Sequence, residues 1–97
     1  MRVRLRLFAG YRDLAGANET TVEVPPGSNI EEDIAALLAG FPRLAGEVLD
    51  EMGRIKDPAI VLLNGRNIRD LPREDAVLHE GDEVSLFPPV AGGAGAG

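Results

Sequence analysis

Residues 2–8 alternate strictly, with Val3, Leu5 and Leu7 on one face and Arg2, Arg4 and Arg6 on the other. Period two marks a half-buried strand. A second strand is predicted over residues 20–24. The segment between them, residues 9–19, holds Gly10, Gly16 and Asn18 and reads as the long loop of a hairpin. Pro25-Pro26-Gly27 stops the second strand. Ser28 then opens a helix, with Glu31 three residues on completing a capping box. Glu31, Glu32 and Asp33 favour the positive end of that helix. Ile30, Ile34, Leu37, Leu38 and Phe41 recur at helical spacing as one apolar stripe, and Gly40 suits the helix stop.

Pro42 can open a shorter helix with Leu44, Val48 and Leu49 inward, ending near Gly53. Residues 59–63 form an unbroken apolar run and are predicted as a buried strand. Asn64-Gly65 follows as a tight-turn signal, because both residues tolerate positive φ. A brief return strand is expected at residues 66–68 and a short helical turn at 71–75. Glu80-Gly81-Asp82 makes another turn. Residues 83–87 then alternate again, with Val84 and Leu86 inward. Strand–strand–helix–strand–strand, with helix segregated to one face of a mixed sheet, gives an α+β two-layer fold.

Composition narrows the chemistry. Ninety-seven residues make one domain by length, long enough to bury a single core. There are no cysteines, which excludes disulfides, thiolate metal sites and a cysteine nucleophile. The formal charge of −6 argues against nucleic acid, where clustered cations supply most of the affinity. No apolar run approaches the roughly 20 residues of a membrane span. The charged N-terminal alternation is not a signal peptide, and a cytoplasmic location is expected.

After Phe87 the composition changes. Pro88-Pro89 ends ladder pairing, since neither can donate a backbone hydrogen bond. Residues 90–97 hold only Val, Ala and Gly, with no side chains suited to packing. The expected division is a folded body over residues 1–90 and a flexible tail over 91–97. The string Phe87-Pro88-Pro89-Val90-Ala91-Gly92-Gly93 resembles the C-terminal signature of the MoaD/ThiS family of ubiquitin-like sulfur carriers. Leu7-Phe8-Ala9, Leu14-Ala15-Gly16, Asn64-Gly65 and Glu80-Gly81-Asp82-Glu83-Val84 extend the resemblance over essentially the whole chain to Gly93.

The resemblance implies a β-grasp fold, with a mixed sheet of four to five strands packed on one main helix. It implies a carrier rather than an enzyme, with no metal or cofactor bound to the chain itself. A ubiquitin-activating-type partner, using ATP and magnesium, would adenylate the final glycine carboxylate. Sulfur would then replace the adenylate to give a thiocarboxylate, consumed by the large subunit of molybdopterin synthase or by another sulfur acceptor. Molybdopterin synthesis is the favoured pathway. Thiamine, cysteine or tRNA thiolation, or attachment to lysines as a protein modifier, begin from the same chemistry. Glycine suits the role because only glycine lets backbone approach so closely.

Seven residues after Val90 reach roughly 24 Å when extended, and ordering them costs on the order of 7–14 kcal/mol. The body must therefore supply docking contacts. Family members stop at Gly-Gly, whereas this sequence continues Ala94-Gly95-Ala96-Gly97. Three readings stand open: a protease trims a precursor after Gly93, Gly97 is used directly, or the carrier is inactive. Val90, Ala91 and Gly92 are the approach to the reactive residue in the first reading.

Other candidates weigh less. Phe8 and Phe87 share an outward phase. If the first and last strands lie parallel side by side, as the resemblance implies, they form an exposed aromatic pair at the tail's root. Phe8, Phe87, Pro88 and Pro89 are thus the expected partner contacts. The Arg2, Arg4 and Arg6 stripe is a solvated face or a docking surface for an acidic patch. His79 has no evident ligand company, Ser28 is a cap and Ser85 sits mid-strand, so no catalytic triad is suggested.

Overall fold

The alternation at the N-terminus becomes the central strand of a sheet. In the computed structural model, which describes residues 1–27 and 29–89, the chain runs β1 (Arg2–Leu7), α1 (Ala9–Ala15), β2 (Glu19–Glu23), α2 (Ile30–Leu37), α3 (Pro42–Val48), β3 (Ile60–Leu63), β4 (Arg66–Asn67) and β5 (Glu83–Phe87), with 3₁₀ turns at Ile68–Asp70 and Arg73–Asp75. The five strands form one mixed sheet in the order β2-β1-β5-β3-β4. β1 and β5 are parallel neighbours, with Leu5 opposite Val84 and Leu7 opposite Leu86. The β1–β2, β3–β4 and β3–β5 pairs are antiparallel.

One face of this sheet is the core wall. Val3, Leu5, Leu7, Val61, Leu63, Val84 and Leu86 bury against Ile30, Ile34 and Leu37 of α2 and Leu44 and Val48 of α3. Each such side chain contributes about 1.5–3 kcal/mol of hydrophobic stabilisation. Asn64 and Gly65 have φ of 51° and 86°, the positive values that a two-residue β3–β4 turn demands.

Four details differ from the sequence reading. Residues 9–15 form a helix rather than a loop. Tyr11 is buried and Leu14 and Ala15 pack against the core from one helical face, and Gly16 closes the helix at φ 74° with its N–H on the Arg12 carbonyl. Ser28 lies outside the described residues, and the side chain that caps α2 is Asn29, which accepts from the Glu32 N–H at 2.8 Å. α2 ends at Leu37 rather than at Gly40, and Phe41 becomes the N-cap of α3. α3 itself stops at Val48, because residues 50–54 fold into a turn in which Asp50 Oδ1 accepts from the amides of Met52 and Arg54.

Candidate functional site

The outer face of the sheet is polar at one end and apolar at the other. Along β1 the arginines do not present free charge. Arg2 pairs with Glu23 at 3.1 Å. Arg4 lies 3.4 Å from Glu19 and 3.8 Å from Glu83, and Arg6 lies 3.1 Å from Glu83. The strand order dictates this lattice, since acidic residues of β2 and β5 flank β1 on both sides. Exposed pairs of this kind are worth about 0–1 kcal/mol each. Within the described residues the stripe is a compensated surface, and a partner's carboxylates would have to displace Glu19 and Glu83.

Beyond the ladder the face turns apolar. Phe8 follows β1 and caps α1 with extended backbone, and its amide donates to the Leu86 carbonyl at 3.3 Å. This bond carries the parallel pairing past Leu7 and sets Phe8 beside Phe87. The rings stack with centroids 4.2 Å apart and planes 8° from parallel. The Arg6 guanidinium lies over Phe8, 5.3 Å from its centroid, close enough for a cation–π attraction. Both rings are half-buried, so the sequence expectation of an exposed pair is corrected: mutual stacking covers part of each.

β3 extends this patch. Ile60 lies opposite Phe87 and Leu62 opposite Ser85 across the β3–β5 ladder, which puts both on the outer face, half-buried. The unbroken apolar run at residues 59–63 suggested burial on both faces. In fact Val61 and Leu63 serve the core, and Ile60 and Leu62 join the aromatic pair outside it. Register with Phe87, which composition cannot supply, was the missing information. Pro88 is half-buried and Pro89 exposed immediately beyond. The remaining predicted site residues, Val90, Ala91, Gly92, Gly93 and Gly97, lie outside the described residues.

The acidic cluster at the start of α2 is divided among separate tasks. The Arg73 guanidinium reaches Glu31 Oε1 at 3.0 Å and holds its carboxyl below the ordinary range. Asp33 turns inward and accepts from the Gly27 N–H at 2.9 Å. His79 donates its backbone N–H to Asp82 Oδ2 at 2.8 Å, forming a turn rather than a reactive group. A surface hollow of about 580 Å³ between α2 and the Met52–Arg54 turn is lined by the already paired Glu31 and Arg73. None of the three helices is long and apolar enough to cross a membrane among the described residues.

A mixed sheet with β1 and β5 parallel at its centre, a helical layer on one face and an apolar patch where β5 departs, is the ubiquitin-like β-grasp architecture of carrier and modifier proteins. The ThiS family model matches residues 5–93, and the chain belongs to that family of ubiquitin-like sulfur carriers. It is 36% identical over 93 residues to small archaeal modifier protein 3 of Haloferax volcanii, covering 96% of this chain and 100% of that one. It is 31% identical to the molybdopterin synthase sulfur carrier subunit of Chlamydomonas reinhardtii, with the same coverage of each. The crystal structure of SAMP1 from Haloferax volcanii superposes with a TM-score of 0.78 at 29% identity, covering 95% of this chain and 99% of the other.

Proposed function

We propose that this chain is a cytoplasmic sulfur carrier whose Gly93 carboxylate is adenylated and then converted to a thiocarboxylate. The observation that carries this reading is where the family match ends: it runs through the whole Phe87-Pro88-Pro89-Val90-Ala91-Gly92-Gly93 string and stops at Gly93. A carboxylate is a poor acyl donor. Activation by ATP and magnesium on a ubiquitin-activating-type partner supplies the leaving group, and sulfide then displaces AMP. The chain's own residues do the positioning. Phe8, Phe87, Ile60 and Leu62 form an apolar platform at the root of the segment that must enter the partner, and Pro88-Pro89 end the ladder pairing of β5.

Molybdopterin synthesis is the favoured destination, supported by the likeness to the Chlamydomonas reinhardtii carrier subunit. The synthase large subunit would be the acceptor. A second reading, attachment to protein lysines, is favoured by the likeness to small archaeal modifier protein 3. Both require residues beyond Gly93 to be removed first, which calls for a trimming protease. Intact-mass spectrometry of the protein from its native host tests the proposal. A chain ending at Gly93 with one oxygen replaced by sulfur is the expected species. A chain recovered only with a free oxygen carboxylate, under conditions of active sulfur transfer, would overturn it.

A further inference from the structure

A second surface hollow, of about 430 Å³, shares Glu31, Arg54 and Arg73 with the first and runs from the start of α2 to the 3₁₀ turns. Its floor is apolar: Ile55, Ile68 and Leu71 are half-buried there, packed against the core on one side. Its rim is cationic, since Arg54, Arg69 and Arg73 are all exposed. Among the described residues the one carboxylate lining it is Glu31, which Arg73 already holds at 3.0 Å.

The other two arginines keep their charge. Arg69 is anchored by backbone, its guanidinium donating to the Asp57 carbonyl and, at 2.8 Å, to the Lys56 carbonyl. Carbonyls fix a guanidinium in place without neutralising it, and they leave further N–H donors unused. Arg54 forms no salt bridge among the described residues. Asp50 feels it only through space, and spends its Oδ1 on the amides of Met52 and Arg54. Met52, on the adjoining hollow, adds a large apolar side chain that is 75% exposed.

We propose that this hollow docks a short acidic segment of a partner protein. One aliphatic or aromatic side chain of that segment seats on Ile55, Ile68 and Leu71, and its flanking carboxylates meet Arg54 and Arg69. Charge complementarity selects this occupant, because a guanidinium fork matches a carboxylate. The whole chain carries −6, which opposes a long polyanion such as nucleic acid. A short segment feels chiefly the charges within about 8–10 Å, and lining this hollow three arginines face one glutamate. Phe8, Ile60, Leu62 and Phe87 do not line it, so a partner seated there leaves the aromatic patch uncovered. Under the carrier reading, one protein then holds the chain while another works on its carboxylate.

The test selects phage-displayed short random peptides against the full chain, then titrates the best of them into isotope-labelled full chain by NMR. The expected peptides carry aspartate or glutamate beside leucine, isoleucine or phenylalanine. They should shift the amides of Arg54, Ile55, Ile68, Arg69 and Leu71. Arg54→Glu breaks no salt bridge among the described residues, and should weaken binding by about tenfold with the folded spectrum retained. Arg54→Lys, which keeps the charge, should recover most of that loss. Exchanging the peptide's apolar residue for serine should weaken binding as well. No enriched peptide, enriched peptides without acidic residues, shifts confined to the Phe8–Phe87 face, or unchanged affinity in Arg54→Glu each overturns the inference. An oligonucleotide that binds the same residues as tightly overturns it too. Shifts there that grow with protein concentration alone would assign the hollow to a second copy and overturn the partner.

Discussion

Phe8 at the end of β1 and Phe87 at the end of β5 stack face to face, with ring centroids 4.2 Å apart. Aromatic pairs contribute about 0.5–1.5 kcal/mol beyond the area they bury, so the stack helps to hold the ends of β1 and β5 together. Two variants separate that role from partner binding. Phe87→Leu should lower stability by about 1 kcal/mol, the worth of the lost stack. Phe87→Asp should in addition weaken binding to the adenylating partner by tenfold or more, as expected of a central apolar contact worth about 1–2 kcal/mol. Calorimetric titration against that enzyme measures it. Unchanged affinity in Phe87→Asp would remove the patch from the interface.

Asp33 is 1% exposed, and its Oδ2 has no hydrogen-bond partner among the described residues, while Oδ1 holds the Gly27 amide. The bond ties the turn after β2 to the first turns of α2. Gly27 itself is exposed, so water can meet its amide once the carboxylate is gone. The loss is then the net worth of the bond, about 0.5–1.5 kcal/mol, and Asp33→Ala should lower the urea midpoint by a corresponding amount. Asp33→Asn keeps an acceptor for Gly27 and should lose less. Gly27→Ala should also destabilise, since a Cβ there would come within 2.6 Å of Asp33 Oδ1. A neutral Asp33→Ala would show that burying the unpaired oxygen cancels the benefit of the bond.

The Glu31–Arg73 pair predicts a pH dependence. Its arginine lowers the Glu31 pKa in the folded state, so the unfolded chain binds the proton first as pH falls. The stabilisation is fully present above the ordinary glutamate pKa of about 4.3 and is lost as pH drops through the lower, folded value. Arg73 is 70% exposed, which limits the gain to about 1 kcal/mol or less. The stability difference between the native chain and Glu31→Gln should therefore shrink between neutral and acid pH, and also with added salt. A difference independent of pH would mean the pair contributes nothing.

Where local pattern decides structure, the sequence was legible. β1 and β5 show alternation, Asn64-Gly65 demands a tight turn, and Ile30, Ile34 and Leu37 mark the buried face of α2. α1 was hidden because Gly10 and Gly16 read as loop residues. The available signal was Tyr11, Leu14 and Ala15 on one helical face, with Gly16 as a left-handed cap. The cap of α2 moved by one residue because Ser28 and Asn29 both satisfy the same rule. The pairing of Phe8 with Phe87 followed from phase once the strands were taken as parallel neighbours. Ile60, Leu62 and the arginine–glutamate ladder depend on strand order and register, which residues distant in sequence set together.

The identity of the reactive glycine is the most consequential matter to test. Four residues beyond Gly93 would add roughly 14 Å of extended chain. A partner channel shaped for the shorter reach from Phe87 would then hold a carboxylate at Gly97 well past its ATP site. Catalysis tolerates misplacement of only about 1 Å before heavy loss. Three proteins decide the question with the cognate activating enzyme and ATP: the 97-residue chain, a chain ending at Gly93, and a chain ending there with Gly93→Val. Pyrophosphate exchange should be fast for the second alone. The first fails because its carboxylate overshoots, and the third because a branched side chain cannot follow glycine into so close an approach. Exchange by the 97-residue chain as fast as by the trimmed one would make Gly97 the working residue and remove the need for a protease. Exchange by the Gly93→Val chain would show that the channel does not select for glycine.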